Sequence, residues 1–223
     1  MIWLDGAVSA IIGFVDLGGP VVALLLGMSV VSGGVVLYKL WQFRTLGVGR
    51  RTGLEQALSD WDRGEFEKAV LRTDQSRSHI RSLMREAMHG IGSAQFDPER
   101  FSERLLARAE EKMRKLEGGF RILDIIAQLA PLLGLFGTVL GMIEAFQNLQ
   151  NAGASVDPSL LAGGIWVALM TTAVGLAVAM PTSLLLSWLE ARVSGERVFA
   201  DKALQMILCP ASTQTEALQH AAE

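Results

Sequence analysis

Three threonine hydroxyls lie near the middle of two long runs without charge. Thr138 is in IIAQLAPLLGLFGTVLGMI (125–143), and Thr171 and Thr172 are in PSLLAGGIWVALMTTAVGLAVAMPTSLLLSWL (158–189). If the runs are antiparallel helices, Thr138 and Thr172 fall at similar depth, and hydroxyls at one level can line a narrow polar path. The competing use of such a threonine is a bond to the carbonyl one turn back or to a neighbouring helix, and the sequence leaves both open. The carboxylates near the runs, Asp124, Glu144, Asp157 and Glu190, all stand at their borders. A proton relay needs an ionisable group inside the membrane, so a titrating acid at mid-depth would have to come from a partner. Glu144 stands either at the outer mouth of such a path or as a solvated interfacial acid. His79 and His89, ten residues apart, lack companions at metal-ligand spacing. Cys209 is the single cysteine and can form no internal disulfide. No phosphate loop, metal cluster or nucleophile elbow is visible. Neither an enzyme nor a cofactor site is expected.

The elements that would position these hydroxyls are membrane spans. A helix rises about 1.5 Å per residue, so both runs are long enough to cross a hydrocarbon core of about 30 Å. The second, 32 residues long, would reach roughly 48 Å and project beyond it. Gly134, Gly137, Gly141, Gly163, Gly164 and Gly175 replace the bulky residues of a plain lipid anchor. Small residues let helix backbones approach in lipid, so these spans are expected to pack against a neighbour. Pro131 and Pro181 are candidate kinks. A third uncharged stretch, Leu17 to Tyr38, follows the breakers Gly18, Gly19 and Pro20, with Gly33 and Gly34 as packing notches.

Half of the residues are hydrophobic, the formal charge is −3 and the mean hydropathy is +0.34. That profile suits an integral membrane protein and gives no reason to expect nucleic acid. Seventeen of the twenty Lys and Arg lie between Lys39 and Arg121, none between Arg121 and Arg192, and three beyond. The positive-inside rule then gives three spans with the N-terminus outside and the C-terminus in the cytoplasm. Tyr38, Lys39, Trp41 and Arg44 mark the inner interface. The expected organisation is an outer amphipathic, interfacial helix (1–17), a first span (18–40), a cytoplasmic helical section (41–120), a second span (121–150), an outer turn (151–158), a third span reaching into the cytoplasm (159–190) and a cytoplasmic tail (191–223), frayed from Pro210.

The charge-rich section carries helical stripes at Leu54, Leu58 and Trp61, at Ile80, Leu83, Met84 and Met88, and from Phe101 to Leu116. A break at Gly90–Gln95 separates two helical pieces. The second starts with Asp97 as cap, Pro98 at the first turn and Phe96 stapled to Phe101, and continues past Gly118 and Gly119 into the second span with little interruption. Asp157, Pro158 and Val156 repeat the device at the third span.

The segments APLLGLFGTVLGMIEAF (130–146) and AGGIWVALMTTAVGLAVAMP (162–181) resemble the MotA/TolQ/ExbB proton channel family. The three-span layout favours the ExbB and TolQ branch over four-span MotA-type stators. The resemblance implies an all-α membrane protein forming a homopentamer around two single-span ExbD/TolR-type partners, whose membrane aspartate would carry the proton. It also implies a TonB-like protein as the energised component and the bacterial inner membrane as location. Thr138 and Thr172 match the family's pore-facing threonines, with Thr171 beside them, and Pro131 matches a recurrent proline. In many ExbB and TolQ proteins a glutamate stands where this chain has Val167, beside Trp166. Three readings follow: an ExbB-like motor subunit energising TonB-dependent outer-membrane transport, a TolQ-like subunit of the Tol-Pal envelope system, or a non-conducting scaffold of the same family.

Overall fold

The computed structural model describes residues 2–91, 97–151 and 158–210. Among them the structure is helical throughout, with no strand: α1 Ile2–Thr45, α2 Thr52–Asp62, α3 Phe66–Gln75, α4 Arg81–Gly90, α5 Pro98–Glu117, α6 Phe120–Asn151 and α7 Pro158–Leu208. Three stretches are long and apolar enough to cross a membrane: Gly19–Thr45, Phe120–Asn151 and Leu161–Leu208. The break expected before the first is present. Gly19 has φ 63° and ψ −161°, non-helical values that split α1 in two just ahead of Pro20. Only glycine takes that backbone without a Cβ penalty. The Asp157 cap, the Val156 and Phe96 staples and the tail from 211 lie outside the described residues.

The chain divides into two compact units, Met1–Tyr38 with Gly119–Ser187, and Lys39–Gly118 with Trp188–Glu223. In the first unit α1, α6 and α7 meet at Leu25, Ile126, Ala130, Val178 and Ala179, with Val21, Met28, Leu133 and Val174 against them. Large apolar side chains elsewhere on α6 and α7, including Leu132, Leu135, Phe136, Leu169 and Leu184, are exposed. In a bilayer such residues gain nothing by leaving lipid, so cohesion of the unit depends on close packing at its small residues. Pro131 and Pro181 lie inside unbroken helices. Each lacks the N–H that would bond the carbonyl four residues earlier, at Ala127 and Ala177. Gly33 and Gly34 face no atom within 4 Å, so any packing they serve lies outside this chain.

The second unit holds α2 to α5 with the last turns of α1 and α7. Leu54, Leu58, Trp61, Leu83, Met84, Leu105, Met113 and Leu204 are buried, each side chain of this size contributing about 1.5–3 kcal/mol in water. The Trp61 indole donates to the Ile207 carbonyl at 3.2 Å and meets Phe66 edge-on at 4.7 Å. Lys39, 2 % exposed, donates through Nζ to the Leu116 carbonyl at 3.0 Å and to Gln42 Oε1 at 2.7 Å.

Two details differ from the sequence reading. Residues 52–90 form three helices rather than one piece, interrupted at Gly64, with φ 82°, and across Ser76–Ile80. The run from α5 into α6 is also broken, because Gly119 takes φ 91° between Glu117 and Phe120. A left-handed glycine after the last turn is a common helix stop. The Asp97 cap is present: its carboxylate accepts from the Arg100 backbone N–H at 3.4 Å, with Pro98 in the first turn.

Candidate functional site

The glycines of α6 and α7 interlock in antiparallel register. A Cβ placed on Gly134 would sit 3.0 Å from the Thr171 carbonyl oxygen and 3.0 Å from Thr172 Cα, and one on Gly175 would sit 2.6 Å from the Ala130 carbonyl oxygen. On Gly137 it would meet the Thr171 hydroxyl at 2.7 Å, on Gly141 the Ala168 Cβ at 3.0 Å, and on Gly164 the Ala145 Cβ at 2.5 Å. Carbon atoms normally rest about 3.5–4.0 Å apart. Five of the six expected packing glycines therefore stand where a methyl group would push the helices apart. Gly163 does not: nothing lies within 4 Å of its face.

This seam fixes the threonines. Thr171 is 3 % exposed, and its hydroxyl lies 2.7 Å from the Ala168 carbonyl and 3.1 Å from the Gly134 carbonyl of the facing helix. Expected on the polar wall, it is spent on holding α6 to α7. Thr138 is half-buried and donates to the Leu135 carbonyl at 2.6 Å. Its oxygen keeps lone-pair capacity, since a hydroxyl accepts as well as donates. Thr172 differs from both. Its Oγ1 is shielded from solvent and has no hydrogen-bond partner, although a buried hydroxyl without one is costly.

Thr182, which drew no attention in the sequence, is also buried and donates to the Val178 carbonyl at 2.8 Å. The signal was its place one turn after an inward-facing Val178. At the other end of the seam Glu144, Asn148, Gly163, Gly164 and Val167 border a cleft of about 180 Å³. Val167 and Glu144 thus share one recess. Their pairing follows from the antiparallel register that sets Gly141 on Ala168 and Ala145 on Gly164. Asp124, near the start of α6, accepts from Gln128 Nε2 at 2.7 Å. No group of three or more His, Cys, Asp or Glu able to hold a metal occurs among the described residues, and Cys209 is a free, exposed thiol.

The second unit contains a separate buried charge cluster. Glu196 is fully buried. Its Oε1 accepts from the Gly49 N–H at 3.1 Å and from Arg51 Nε and Nη2 at 2.9 and 2.8 Å. Its Oε2 lies 3.6 Å from His79 Nδ1. Burial holds the His79 imidazole below its usual range; the Glu196 carboxylate opposes this, while Lys112 and Arg51 add to it. The cluster ties the turn after α1, the start of α4 and α7 together, which is a structural role. His89 lines an apolar hollow with Trp61, Phe66 and Met88.

Comparison with known proteins gives the family. A model of the MotA/TolQ/ExbB proton channel family matches residues 71–201. The biopolymer transport protein exbB1 of Vibrio cholerae is 44 % identical over 72 residues, covering 32 % of this chain and 32 % of that protein. The ExbB-like 1 protein of Synechocystis, named as a putative biopolymer transport protein, is 42 % identical over 85 residues, 37 % of this chain and 34 % of that one. The biopolymer transport protein ExbB of Neisseria gonorrhoeae is 40 % identical over 77 residues, 34 % of each. The matched stretch thus spans about a third of the length of these relatives.

Proposed function

Because the chain belongs to the MotA/TolQ/ExbB proton channel family, its model matching residues 71–201, we propose that it is an ExbB-like subunit of a proton-driven motor in the bacterial inner membrane. In this reading five copies form a ring around two single-span ExbD/TolR-like partners, and proton flow energises a TonB-like protein. The N-terminus faces the periplasm and the C-terminus the cytoplasm, as the basic residues between Lys39 and Arg121 suggest.

The observation that carries the proposal is the Thr172 hydroxyl, shielded and without a hydrogen-bond partner, on the residue whose Cα packs against Gly134 of the seam. Thr138 and Thr172 supply the polar lining, Thr171 positions Thr172 by pinning α7 to Gly134, and Pro131 adds the free carbonyl of Ala127. None of these groups titrates near neutral pH. The chain houses the path, and the partner's aspartate carries the proton. Glu144 marks the outer end, in the recess that Val167 shares.

Val167 also favours a second reading, a scaffold that does not conduct. Co-expression with an ExbD-like partner, purification and measurement of proton flux in vesicles separates the two. Partner-dependent flux lost in the Thr138→Ala, Thr172→Val double variant supports the motor. Flux absent from the native complex supports the scaffold, and flux unchanged in the variant removes the threonines from the path.

A further inference from the structure

The end of α1 carries arginines that the fold leaves unneutralised. After Thr45 the chain turns through Gly47 and Gly49, with φ 64° and 87°. The turn borders a cleft of about 410 Å³ shared by Leu40, Phe43, Arg44 and Arg50 with Trp188 and Arg192 of α7. Arg192 Nη2 donates to the Val48 carbonyl at 3.4 Å. Its guanidinium also occupies the space a Cβ on Gly49 would need. Gly49 is therefore what lets Arg192 sit against the turn. The neighbouring Arg51 is drawn away to Glu196. Among the described residues Arg44, Arg50 and Arg192 form no ion pair with a carboxylate, unlike Arg51, Arg72, Arg85, Arg100, Arg108 and Arg197, and these three share one cleft.

Cations of one sign around one cleft repel unless an anion sits among them. Guanidinium forks match phosphate oxygens in pairs, with two parallel N–H donors to one phosphate. The remaining walls are apolar, and Trp188 is 52 % exposed, as an indole at a bilayer border would be. A free phosphate would use the arginines and waste Leu40, Phe43 and Trp188. A phospholipid uses both, with its headgroup among the arginines and the start of its acyl chains along the apolar wall. Basic pockets beside spans on the cytoplasmic side have this chemistry.

We propose that the cleft lined by Arg44, Arg50, Arg192 and Trp188 binds the phosphate headgroup of an anionic phospholipid at the leaflet where the basic residues begin. The proposal rests on α1 spanning a membrane. The full chain, washed free of lipid in detergent, is offered phosphatidylglycerol or phosphatidylcholine and weighed by native mass spectrometry. Phosphatidylglycerol is expected to be retained roughly tenfold better. That preference is expected to disappear in Arg44→Gln/Arg50→Gln and to persist in Arg104→Gln/Arg114→Gln, which removes the same charge elsewhere.

In vesicles, brominated phosphatidylglycerol should quench the Trp188 fluorescence, the difference vanishing in Trp188→Phe, with or without millimolar inorganic phosphate. This second readout stands even if the arginine variant fails to fold. Equal retention of the two lipids, or equal loss in both double variants, overturns the site. Quenching abolished by inorganic phosphate overturns the lipid assignment in favour of a free phosphate. A chain that does not float with vesicles overturns the membrane premise instead, and is told apart from the other failures by that.

Discussion

Gly164→Ala is the sharpest probe of the α6–α7 seam. The new Cβ would lie 2.5 Å from Ala145 Cβ and 3.3 Å from its Cα, against a carbon contact distance of about 3.5–4.0 Å. No rotamer relieves it, because both atoms are fixed to helix backbones, so α7 must recede locally by about 1 Å. Overpacking of this kind costs about 1–3 kcal/mol, partly offset by up to about 1 kcal/mol of better helix propensity. Ala145→Gly removes the obstructing methyl. In a double-mutant cycle the propensity changes cancel, leaving a favourable coupling of roughly 1–3 kcal/mol. The assay is thermal unfolding in detergent followed by tryptophan fluorescence, where 1 kcal/mol corresponds to roughly 2–4 °C. Gly175→Ala is the control. Its obstacle is the Ala130 carbonyl oxygen at 2.6 Å, which no side-chain truncation removes, so Ala130→Gly should not rescue it. A native midpoint for Gly164→Ala, or no rescue by Ala145→Gly, would refute the seam.

Three further outcomes are expected. Glu196→Leu, which strips a fully buried carboxylate from Arg51 and the Gly49 N–H, should cost about 3–5 kcal/mol in denaturant unfolding. Glu196→Gln, which can still accept from Gly49, should cost less; equal stability of the Leu variant and the native chain would contradict the cluster. His79 is held below its usual range, chiefly by burial. Between the folded value and about 6.5 the unfolded chain binds more protons, so stability should fall as pH drops below about 6.5. His79→Gln should flatten that slope, and an unchanged slope would assign it to other groups. Asp97→Ala removes the acceptor for the Arg100 N–H and should cost about 1 kcal/mol. Faster amide exchange confined to the first turn of α5 would report it.

The membrane architecture was legible because its signals are local and long. Three apolar stretches exceed what any core helix of a small soluble domain needs, and Gly19 with Pro20 can only break a helix. Gly134, Gly137 and Gly141 recur at i, i+3 and i+7, so their shared face could be read directly. Thr171 and Thr172 could not be told apart in the same way. Adjacent helical residues point about 100° apart, and which of them meets Gly134 depends on the rotation of α7, set by packing along its whole length. The single helical piece expected before Gly90 became three because Gly64 takes a left-handed φ of 82° and the Ser78 hydroxyl accepts from the Ile80 N–H in the turn ahead of α4, choices that an apolar stripe does not report. Gly118 and Gly119 were seen, but the apolar stripe running through them gave no sign that Gly119 would turn left-handed. The Glu196 cluster and the arginine cleft join residues more than 140 positions apart. Single-sequence periodicity carries no information at that range.

The most direct measurement is proton flux through vesicles holding the chain with an ExbD-like partner, comparing Thr172→Ser with Thr172→Val. Valine keeps the shape of threonine and replaces the hydroxyl with a methyl group, whereas serine keeps the hydroxyl and loses a methyl group. The expected result is flux retained in the serine variant and lost in the valine variant, with both complexes assembling as the native one does. Native flux in Thr172→Val would contradict the assignment of the hydroxyl to the wall of a proton path.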